Sequence, residues 1–204
     1  TRDLYAVSRA LEDNHIDALL VIGGYSAYEG IHTMTTERDR YPAFRIPTVC
    51  IPASIDNNLP GSELSIGADT ALNVIVEAMD KIKESGIASR RCFVVETMGR
   101  DCGYLALMSG IAAGAERIYT NEDGISLDDL ANDVHWLRES FAHGRRLFLA
   151  VRNENASRNY TTDFIARLLE EESHGMYDVR QVVLGHMQQG GSPSPFDRLL
   201  ANRL

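Results

Sequence analysis

The 204-residue chain has an ordinary globular composition, 44% hydrophobic and 24% charged, which excludes an intrinsically disordered protein. It contains no run of about 18 apolar residues and no signal-peptide layout at its start, so we expect neither a membrane partner nor secretion. The formal net charge of -9 argues against nucleic acid as a partner. Three cysteines without metal-ligand spacing favour a reduced, cytoplasmic setting. Any anion that the chain binds must therefore meet a locally positive site.

Apolar runs of strand length alternate with longer segments of helical period, which is typical of an α/β fold. The first half of the chain predicts a helix at 2–14, a strand at 18–22, a helix at 28–36, a strand at 47–51, a helix at 68–85, a strand at 92–95 and a helix at 103–113. The second half predicts a strand at 118–119, a helix at 127–143, a strand at 147–151, a helix at 162–172, a strand at 181–184 and a helix from 196 onward.

This alternation predicts a doubly wound, mostly parallel sheet with helices on both faces. The apolar run at 18–22 is typical of a strand buried on both faces. Because the chain opens on a helical pattern and stops inside another, we expect a domain that is truncated at both ends. Residues 1–204 are interpreted as one incomplete domain, a large lobe with part of a second one.

Five loops leave the predicted strands at their carboxyl ends, which is where open α/β sheets bind ligands. All five are rich in glycine and small polar residues, and they lie at 23–27, 52–66, 96–103, 152–160 and 185–192. One such loop alone favours a structural role, because every strand exit needs turn residues. Five that converge at one edge of the sheet favour a binding site.

The first of these loops contains two glycines between a strand and a helix, Gly23 and Gly24, followed by Tyr25 and Ser26. Such a turn lets backbone N–H groups approach a phosphate, and the helix N-terminus adds a favourable dipole. The pattern is neither a dinucleotide fingerprint nor a Walker loop. By itself it does not distinguish a phosphate loop from a tight turn.

The second loop is denser in polar groups, in the segment from Ser54 to Asn58. Its hydroxyl and amide groups can donate to phosphate or sugar oxygens, and the carboxylate of Asp56 can accept from a hydroxyl. If a primary sugar hydroxyl approached Asp56, the carboxylate could act as its general base. The alternative is an Asx-rich turn with no ligand.

Four cationic residues offer partners for phosphate groups: Arg91, Arg100, Arg180 and His186. An arginine can hold a phosphate through two parallel hydrogen bonds, and a histidine can add a switchable charge. Glu154 follows a strand, where a carboxylate could hold sugar hydroxyls. The alternative for each residue is an ordinary solvated surface group, because this acidic chain offers many partners for a surface arginine.

Four segments, in order along the chain, resemble the phosphofructokinase family; they are residues 51–62, 96–106, 152–155 with 159–164, and 184–198. The resemblance covers nearly the whole chain. It implies a parent protein of glycolysis that transfers the γ-phosphate of ATP to the 1-hydroxyl of fructose 6-phosphate with Mg²⁺. It also implies that the incomplete second lobe is part of the smaller lobe that binds the sugar phosphate.

Many eukaryotic members of the family resemble a duplicated chain with a catalytic and a regulatory half. Catalytic halves carry an aspartate that helps to hold Mg²⁺ where this chain has Tyr25, an acid where it has Asn58, and an arginine where it has Gln189. Asp56 stands at the position of the catalytic base, and Arg100 is likewise retained. A phenol cannot replace a carboxylate as a ligand of a hard cation, so the regulatory type is the interpretation we adopt.

The resemblance implies an effector site for fructose 2,6-bisphosphate or fructose 6-phosphate around Asp56. Its other members are Ser54, Ile55, Asn57, Asn58, Arg91, Met98, Gly99, Arg100, Glu154, Arg180, His186, Met187, Gln188 and Gln189. The loop of Gly23, Gly24, Tyr25 and Ser26 is implied to be a former nucleotide loop. ATP and Mg²⁺ would serve the parent enzyme, with no metal site expected in this segment.

The family also shares phosphate sites between subunits or domains, so Arg91 and Arg180 are expected to serve a neighbour's pocket in a homo-oligomer, a tetramer for the parent. Three alternatives remain open. The chain could be a competent kinase domain with Asp56 as the base, a pyrophosphate-dependent relative, or a non-catalytic module that binds a sugar phosphate or only assembles oligomers.

Overall fold

Every strand pair in the structure is parallel. The computed structural model describes residues 3–86 and 88–204. Its strands are β1 Leu19–Gly23, β2 Thr48–Pro52, β3 Arg91–Thr97, β4 Arg117–Tyr119, β5 Leu147–Asn153 and β6 Asp178–Val183. Its α-helices are α1 Leu4–Asp13, α2 Tyr25–Thr36, α3 Ala68–Gly86, α4 Tyr104–Ala113, α5 Leu127–Ala142, α6 Thr162–Glu171 and α7 Pro195–Arg203, with 3₁₀ helices at Pro42–Phe44 and Gly185–Gln189.

The predicted order of helices and strands is confirmed, with boundaries that differ by a few residues. Residue 2 of the first predicted helix lies outside the described residues. Helix α2 begins three residues before its predicted start, because Gly24 takes an extended conformation and serves as its N-cap. The two 3₁₀ helices were not predicted, since such short turns leave no hydrophobic period.

The strands form two sheets instead of one. Four strands pair in the order β4-β5-β3-β6, and β1 pairs with β2 in a separate two-stranded sheet. In the larger sheet Val94 of β3 lies between Ala150 of β5 and Gln181 of β6. The α/β class with parallel strands is therefore confirmed, while the break between β2 and the larger sheet follows the long loop at residues 53–67.

Helices cover both faces of the four-stranded sheet, as the class requires. Alternate residues of β3 point to opposite faces. Val94 packs with Phe141 of α5 in one cluster, and Val95 packs with Ile75 of α3 and Leu105 of α4 in the other. All five side chains are completely buried, so the central strand is fixed from both sides.

The two-stranded sheet is less buried than its apolar sequence predicts. Leu20, Ile22 and Val49 share one face, and about 60% of each residue is exposed to solvent. The prediction of a strand buried on both faces is wrong for β1 in this chain, because α2 contacts β1 and the face of these three residues stays open. Across residues 3–86 and 88–204, no helix combines the length and the apolar character needed to cross a membrane.

Helix α3 begins at a carboxylate that is supplied by α7. Asp197 is buried, and its two carboxylate oxygens accept from the backbone N–H groups of Gly67 and Thr70, both at 2.8 Å. The hydroxyl of Thr70 also donates to Asp197. A negative group at a helix N-terminus satisfies donors that have no partner within the helix and interacts well with the helix dipole. This cap ties the loop at 190–194 to the start of the main helix.

Replacing this cap should destabilise the domain. Asp197→Ala leaves two backbone donors and the Thr70 hydroxyl buried without an acceptor, so we expect a loss of about 2–4 kcal/mol in the free energy of unfolding. Urea denaturation measures the loss. The matched control is Asp128→Ala, an exposed acid in the first turn of α5, which should cost at most about 1 kcal/mol. Equal losses in the two variants would contradict the role of Asp197.

Candidate functional site

The carboxyl ends of the strands are joined in pairs by backbone hydrogen bonds. The N–H of Ala53 after β2 donates to the carbonyl of Gly23 at 3.0 Å, and the N–H of Glu154 after β5 donates to the carbonyl of Thr97 at 2.9 Å. Leu184 after β6 donates to Glu96 of β3 at 3.1 Å. The predicted strand exits are therefore neighbours at this edge, as parallel pairing requires.

An inner cleft of about 200 Å³ opens between the loops after β1, β2 and β3. Its lining residues are Gly24, Tyr25, Ser26, Ala27, Ala53, Ser54, Asp56 and Arg100. A Cβ atom at Gly24 would lie 3.1 Å from the Cβ of Ser54, so glycine allows the first two loops to approach closely. The structure thus brings the two-glycine loop next to the serine and aspartate of the second loop.

Asp56 lies in the inner cleft and is only 8% exposed. Its Oδ1 has no hydrogen-bond partner among the described residues, while its Oδ2 lies 3.4 Å from Nε of Arg100. Burial raises the pKa of the Asp56 carboxyl, Arg100 opposes this shift, and Glu154 adds to it. The carboxylate is therefore costly to keep ionised and free to accept a hydrogen bond from a ligand.

Arg100 reaches Asp56 because the turn at Met98–Arg100 has an unusual backbone. Gly99 has a φ of 132° and Arg100 a φ of 49°, both in the region that favours glycine. The Arg100 N–H donates to Oε1 of Glu154 at 2.9 Å. The side-chain amide of Gln188 accepts from the Met98 N–H at 3.2 Å. These contacts bring the loops after β3, β5 and β6 together, as the sequence predicted.

A larger outer cavity of about 580 Å³ adjoins the inner cleft and shares Tyr25 and Arg100 with it; its other lining residues are Asn57, Asn58, Leu59, Pro60, Asp101, Cys102 and Glu122. The Oδ1 atom of Asn58 is buried and has no partner in the described part of the chain. Asn57 differs, because its Oδ1 accepts from the Ser65 N–H and its amide donates to the carbonyl of Glu63. Asn57 therefore makes the loop contacts of an Asx-rich turn, which the sequence analysis gave as the alternative to ligand binding.

Arg152 supports the site by holding a loop in place, and we did not single it out in the sequence. It is 2% exposed and contacts Glu96 at 2.7 Å, the carbonyl of Glu154 at 3.2 Å and the carbonyl of Ser157 at 2.6 Å. Burial lowers the pKa of its guanidinium, while Glu96 opposes this shift. The buried charge thereby fixes the loop that carries Glu154.

Two further polar residues support the site without a sequence signal that pointed to them. Asn153 donates to the carbonyl of Cys102 at 3.1 Å, and Glu122 accepts from the N–H of Gly103 at 2.8 Å. Asn153 could have been found as the neighbour of Glu154 in the segment at 152–155. Glu122 lies in a turn after β4, so only the folded chain brings it to the site.

Some predicted site residues lie outside both cavities. Arg91 is the first residue of β3 and Arg180 lies in β6, so both are near the amino ends of their strands, and Arg91 is roughly 20 Å from the site edge at ~3.3 Å per residue. His186 and Met187 are exposed on the 3₁₀ helix, and neither side chain hydrogen-bonds to the cleft loops within residues 3–86 and 88–204. Gly23 is the last residue of β1.

The remaining three predicted residues line another cavity. Ile55, Gln188 and Gln189 face a space of about 480 Å³ against α3 and α7. Gln188 is completely buried and spans the two regions, because it also holds the Met98 N–H. The loop after β6 is therefore adjacent to the inner cleft, but most of its side chains do not line that cleft.

The turn at Gly99 should tolerate no side chain. A Cβ atom there would lie 2.4 Å from the carbonyl oxygen of Cys102 and 2.8 Å from Nδ2 of Asn153. Because strained backbone adds to this overlap, we expect Gly99→Ala to lower the free energy of unfolding by roughly 2–4 kcal/mol. The matched control is Gly114→Ala, where φ is 68° and the space is open, and where only about 1–2 kcal/mol is expected. Urea unfolding of the two variants compares them; a Gly99→Ala loss no larger than the control's would refute the close approach.

The match to a family of known proteins extends over the whole chain. The family model described as phosphofructokinase matches residues 1–204, and the chain belongs to the phosphofructokinase family. It is 48% identical over 202 residues to the platelet-type ATP-dependent 6-phosphofructokinase of Rattus norvegicus, covering 98% of this chain and 26% of the relative. It is 44% identical over 209 residues to the ATP-dependent 6-phosphofructokinase of Aspergillus fumigatus, covering 100% of this chain and 26% of the relative.

Solved structures show the same similarity. Phosphofructokinase from Saccharomyces cerevisiae superposes with a TM-score of 0.95 at 40% identity, covering 99% of this chain and 28% of that one. A pyrophosphate-dependent phosphofructokinase from Marinobacter aquaeolei superposes with a TM-score of 0.71 at 19% identity, covering 96% of this chain and 51% of that one; this second similarity concerns the fold alone. The chain thus spans about a quarter of the length of the curated relatives named above.

The residues in the cleft do not fit Mg²⁺, the ion that the family resemblance implies. Hard cations need several oxygen ligands, and within residues 3–86 and 88–204 no group of three or more His, Cys, Asp or Glu side chains is placed to hold a metal. Tyr25 lines the cleft with a phenol, and the guanidinium of Arg100 stands beside Asp56.

Proposed function

We propose that this chain is part of the regulatory-type half of an ATP-dependent 6-phosphofructokinase and that its cleft binds a fructose bisphosphate effector. The observation that carries the proposal is Tyr25, which opens α2 and lines both the inner cleft and the outer cavity beside Arg100. A phenol at this place crowds the phosphates of a nucleotide and offers Mg²⁺ no carboxylate. The residues around the cleft that would contact a sugar phosphate are still polar.

The polar groups around the cleft suit a phosphorylated sugar. Arg100 is the cation, with its side chain 64% exposed and therefore accessible to a phosphate. Asn58 and Ser54 add an amide and a hydroxyl, and Asp56 and Glu154 add acceptors for sugar hydroxyls. The chain has a net charge of -9, so the local arrangement of these groups, not the overall charge, decides whether an anion binds.

The cationic residues outside the cleft can bind a phosphate group only in a pocket that a neighbouring subunit or domain supplies. Arg91 and Arg180 lie at the opposite end of the sheet from the cleft, and the side chain of Arg180 is more than half exposed. We infer that they face the pocket of a neighbouring subunit or domain in a homo-oligomer, a tetramer for the parent enzyme. His186 and Met187 are exposed and lie outside both cavities, so we infer that they reach a ligand only in the complete assembly.

We infer that the whole protein phosphorylates fructose 6-phosphate with ATP and Mg²⁺ in the cytoplasm, and that these cofactors bind in its other half. The three cysteines of this segment are free thiols. The names of the relatives support the activity, since they are ATP-dependent 6-phosphofructokinases of which this chain covers 26%.

Calorimetric titration of the full-length protein with fructose 2,6-bisphosphate and with fructose 6-phosphate tests the effector site. We expect saturable binding that Arg100→Ala weakens about 10- to 100-fold, because a hydrogen bond to a charged group contributes about 1.5–3 kcal/mol. The matched control is Arg167→Ala, an exposed arginine on α6, which should bind as the parent does. Binding that is absent, or equal in both variants, would contradict the proposal.

A second candidate function is a competent kinase site with Asp56 as general base. It is favoured by the buried position of Asp56 in the inner cleft, next to Arg100. If this candidate held, Asp56→Asn in the full-length protein would abolish the ADP release that depends on this half. We expect no such loss, because phosphoryl transfer depends mainly on charge neutralisation by the metal. A coupled ADP-release assay that compares the variant with the parent decides between the two.

A further inference from the structure

Asp56 is the one member of the cleft whose charge opposes the proposed ligand. It is 8% exposed, and its Oδ1 has no partner among the described residues. The carboxylate of Glu154 stands close enough to oppose the ionisation of Asp56, and the Arg100 N–H anchors Glu154 through a 2.9 Å hydrogen bond. A ligand in the inner cleft therefore meets the carboxylate of Asp56 and the guanidinium of Arg100, while Glu154 lies outside the lining and is held on the Arg100 backbone.

A fructose monophosphate and a fructose bisphosphate meet this arrangement differently. A monophosphate can enter with a hydroxyl first, and a hydroxyl donates to the unpartnered Oδ1 of Asp56. A bisphosphate carries a phosphate at either end of its ring. The free C1 hydroxyl of fructose 2,6-bisphosphate is attached beside its 2-phosphate, so even when this hydroxyl meets Asp56, phosphate oxygens lie close to a buried carboxylate. The two negative groups repel each other strongly at low dielectric.

The position of Arg100 increases this difference. Its Nε lies 3.4 Å from Oδ2 of Asp56 and is the nearest opposite charge. An entering phosphate competes for the same guanidinium, because arginine binds phosphate through two parallel hydrogen bonds. Asp56 then loses its counter-charge at the moment when a new negative charge arrives.

We propose that Asp56 determines which sugar phosphate this cleft accepts: a hydroxyl binds to the ionised carboxylate, whereas a phosphate binds only when Asp56 takes up a proton from the solvent. The protonated carboxyl then donates its O–H to a phosphate oxygen. This inference rests on the proposed function, since it concerns the ligand of the same site. It makes the affinity for a bisphosphate, and not that for a monophosphate, depend on pH.

The charged and titratable groups that bear on Asp56 are known from the structure. Arg100 and Glu154 act on it from the loops after β3 and β5, and Cys102 is a third group that interacts with its charge. The loops after β1 and β2 add Tyr25 and Ser54 to the lining, neither of which carries a charge at neutral pH. Burial already raises the pKa of the Asp56 carboxyl, which acts in the same direction as an adjacent phosphate.

Titration calorimetry between pH 7.0 and 8.5 tests this proposal on the full-length protein. In this range sugar phosphates are dianions, because their second pKa is about 6. The dissociation constant for fructose 2,6-bisphosphate should rise about tenfold per pH unit, the slope for one proton taken up, and that for fructose 6-phosphate less than twofold over the range. Buffers of different ionisation enthalpy should report about one proton bound with the bisphosphate only.

Asp56→Asn should remove the pH dependence and tighten bisphosphate binding at pH 8 about tenfold or more. Asp56→Ser is the second variant, in case the asparagine disturbs folding, and Asp163→Asn on the surface of α6 controls for the change in net charge. A bisphosphate slope that is unchanged in Asp56→Asn, or no proton uptake in the parent, would overturn this inference alone. Failure of both sugars to bind at any pH would overturn the proposed function and this inference with it.

Discussion

The parallel pairing of β3 with both β5 and β6 is the constraint on which the site depends. Parallel strands place all their carboxyl ends at one edge, and three hydrogen bonds that continue the ladders beyond the strand ends hold the loops there in register. The helices α3, α4, α5 and α6 cover both faces of this sheet with completely buried side chains. The strand ends therefore cannot shift relative to one another, and the loops inherit a fixed spacing.

Two of the buried charges position segments of this fold. Asp197 begins α3 from a distant helix, and Arg152 holds the loop that carries Glu154. Both make several hydrogen bonds, as buried charges need, although Nε of Arg152 has no partner among the described residues. Asp56 makes one contact with a cation, and its Oδ1 has no partner in the described part of the chain. Because Asp56 also lines the inner cleft, its free oxygen is placed to respond to a ligand.

The alternation of apolar periods predicted the order of the helices and strands, because each element carries its own pattern of burial. The split into two sheets and the open face of β1 and β2 could not be predicted that way. An apolar strand has the same sequence whether or not a helix covers both of its faces. Only the arrangement of the long loop at 53–67 separates the second sheet from the first.

The candidate site was predictable only in part, because some of its residues follow strands directly and others are placed by long-range contacts. Gly24 and Asp56 follow paired parallel strands, so the pairing of β1 with β2 brings them together. Arg100 follows β3 of the other sheet, and only the tertiary packing brings it to Asp56 in the inner cleft. Arg91 and Arg180 lie far from that cleft, and Glu122 lies close to it, although neither fact has a local signal in the sequence. Their positions depend on contacts between segments that are distant along the chain.

By itself the sequence determined the α/β class, the family and the composition of the binding loops, since these follow from local periodicity and from motifs that are contiguous along the chain. The tertiary structure decided which of those loop residues share a cavity, which amides are used up in holding a loop, and which carboxylate is buried without a partner. Burial and unmet hydrogen-bonding capacity are properties of the packed chain, because they depend on every segment that surrounds a side chain.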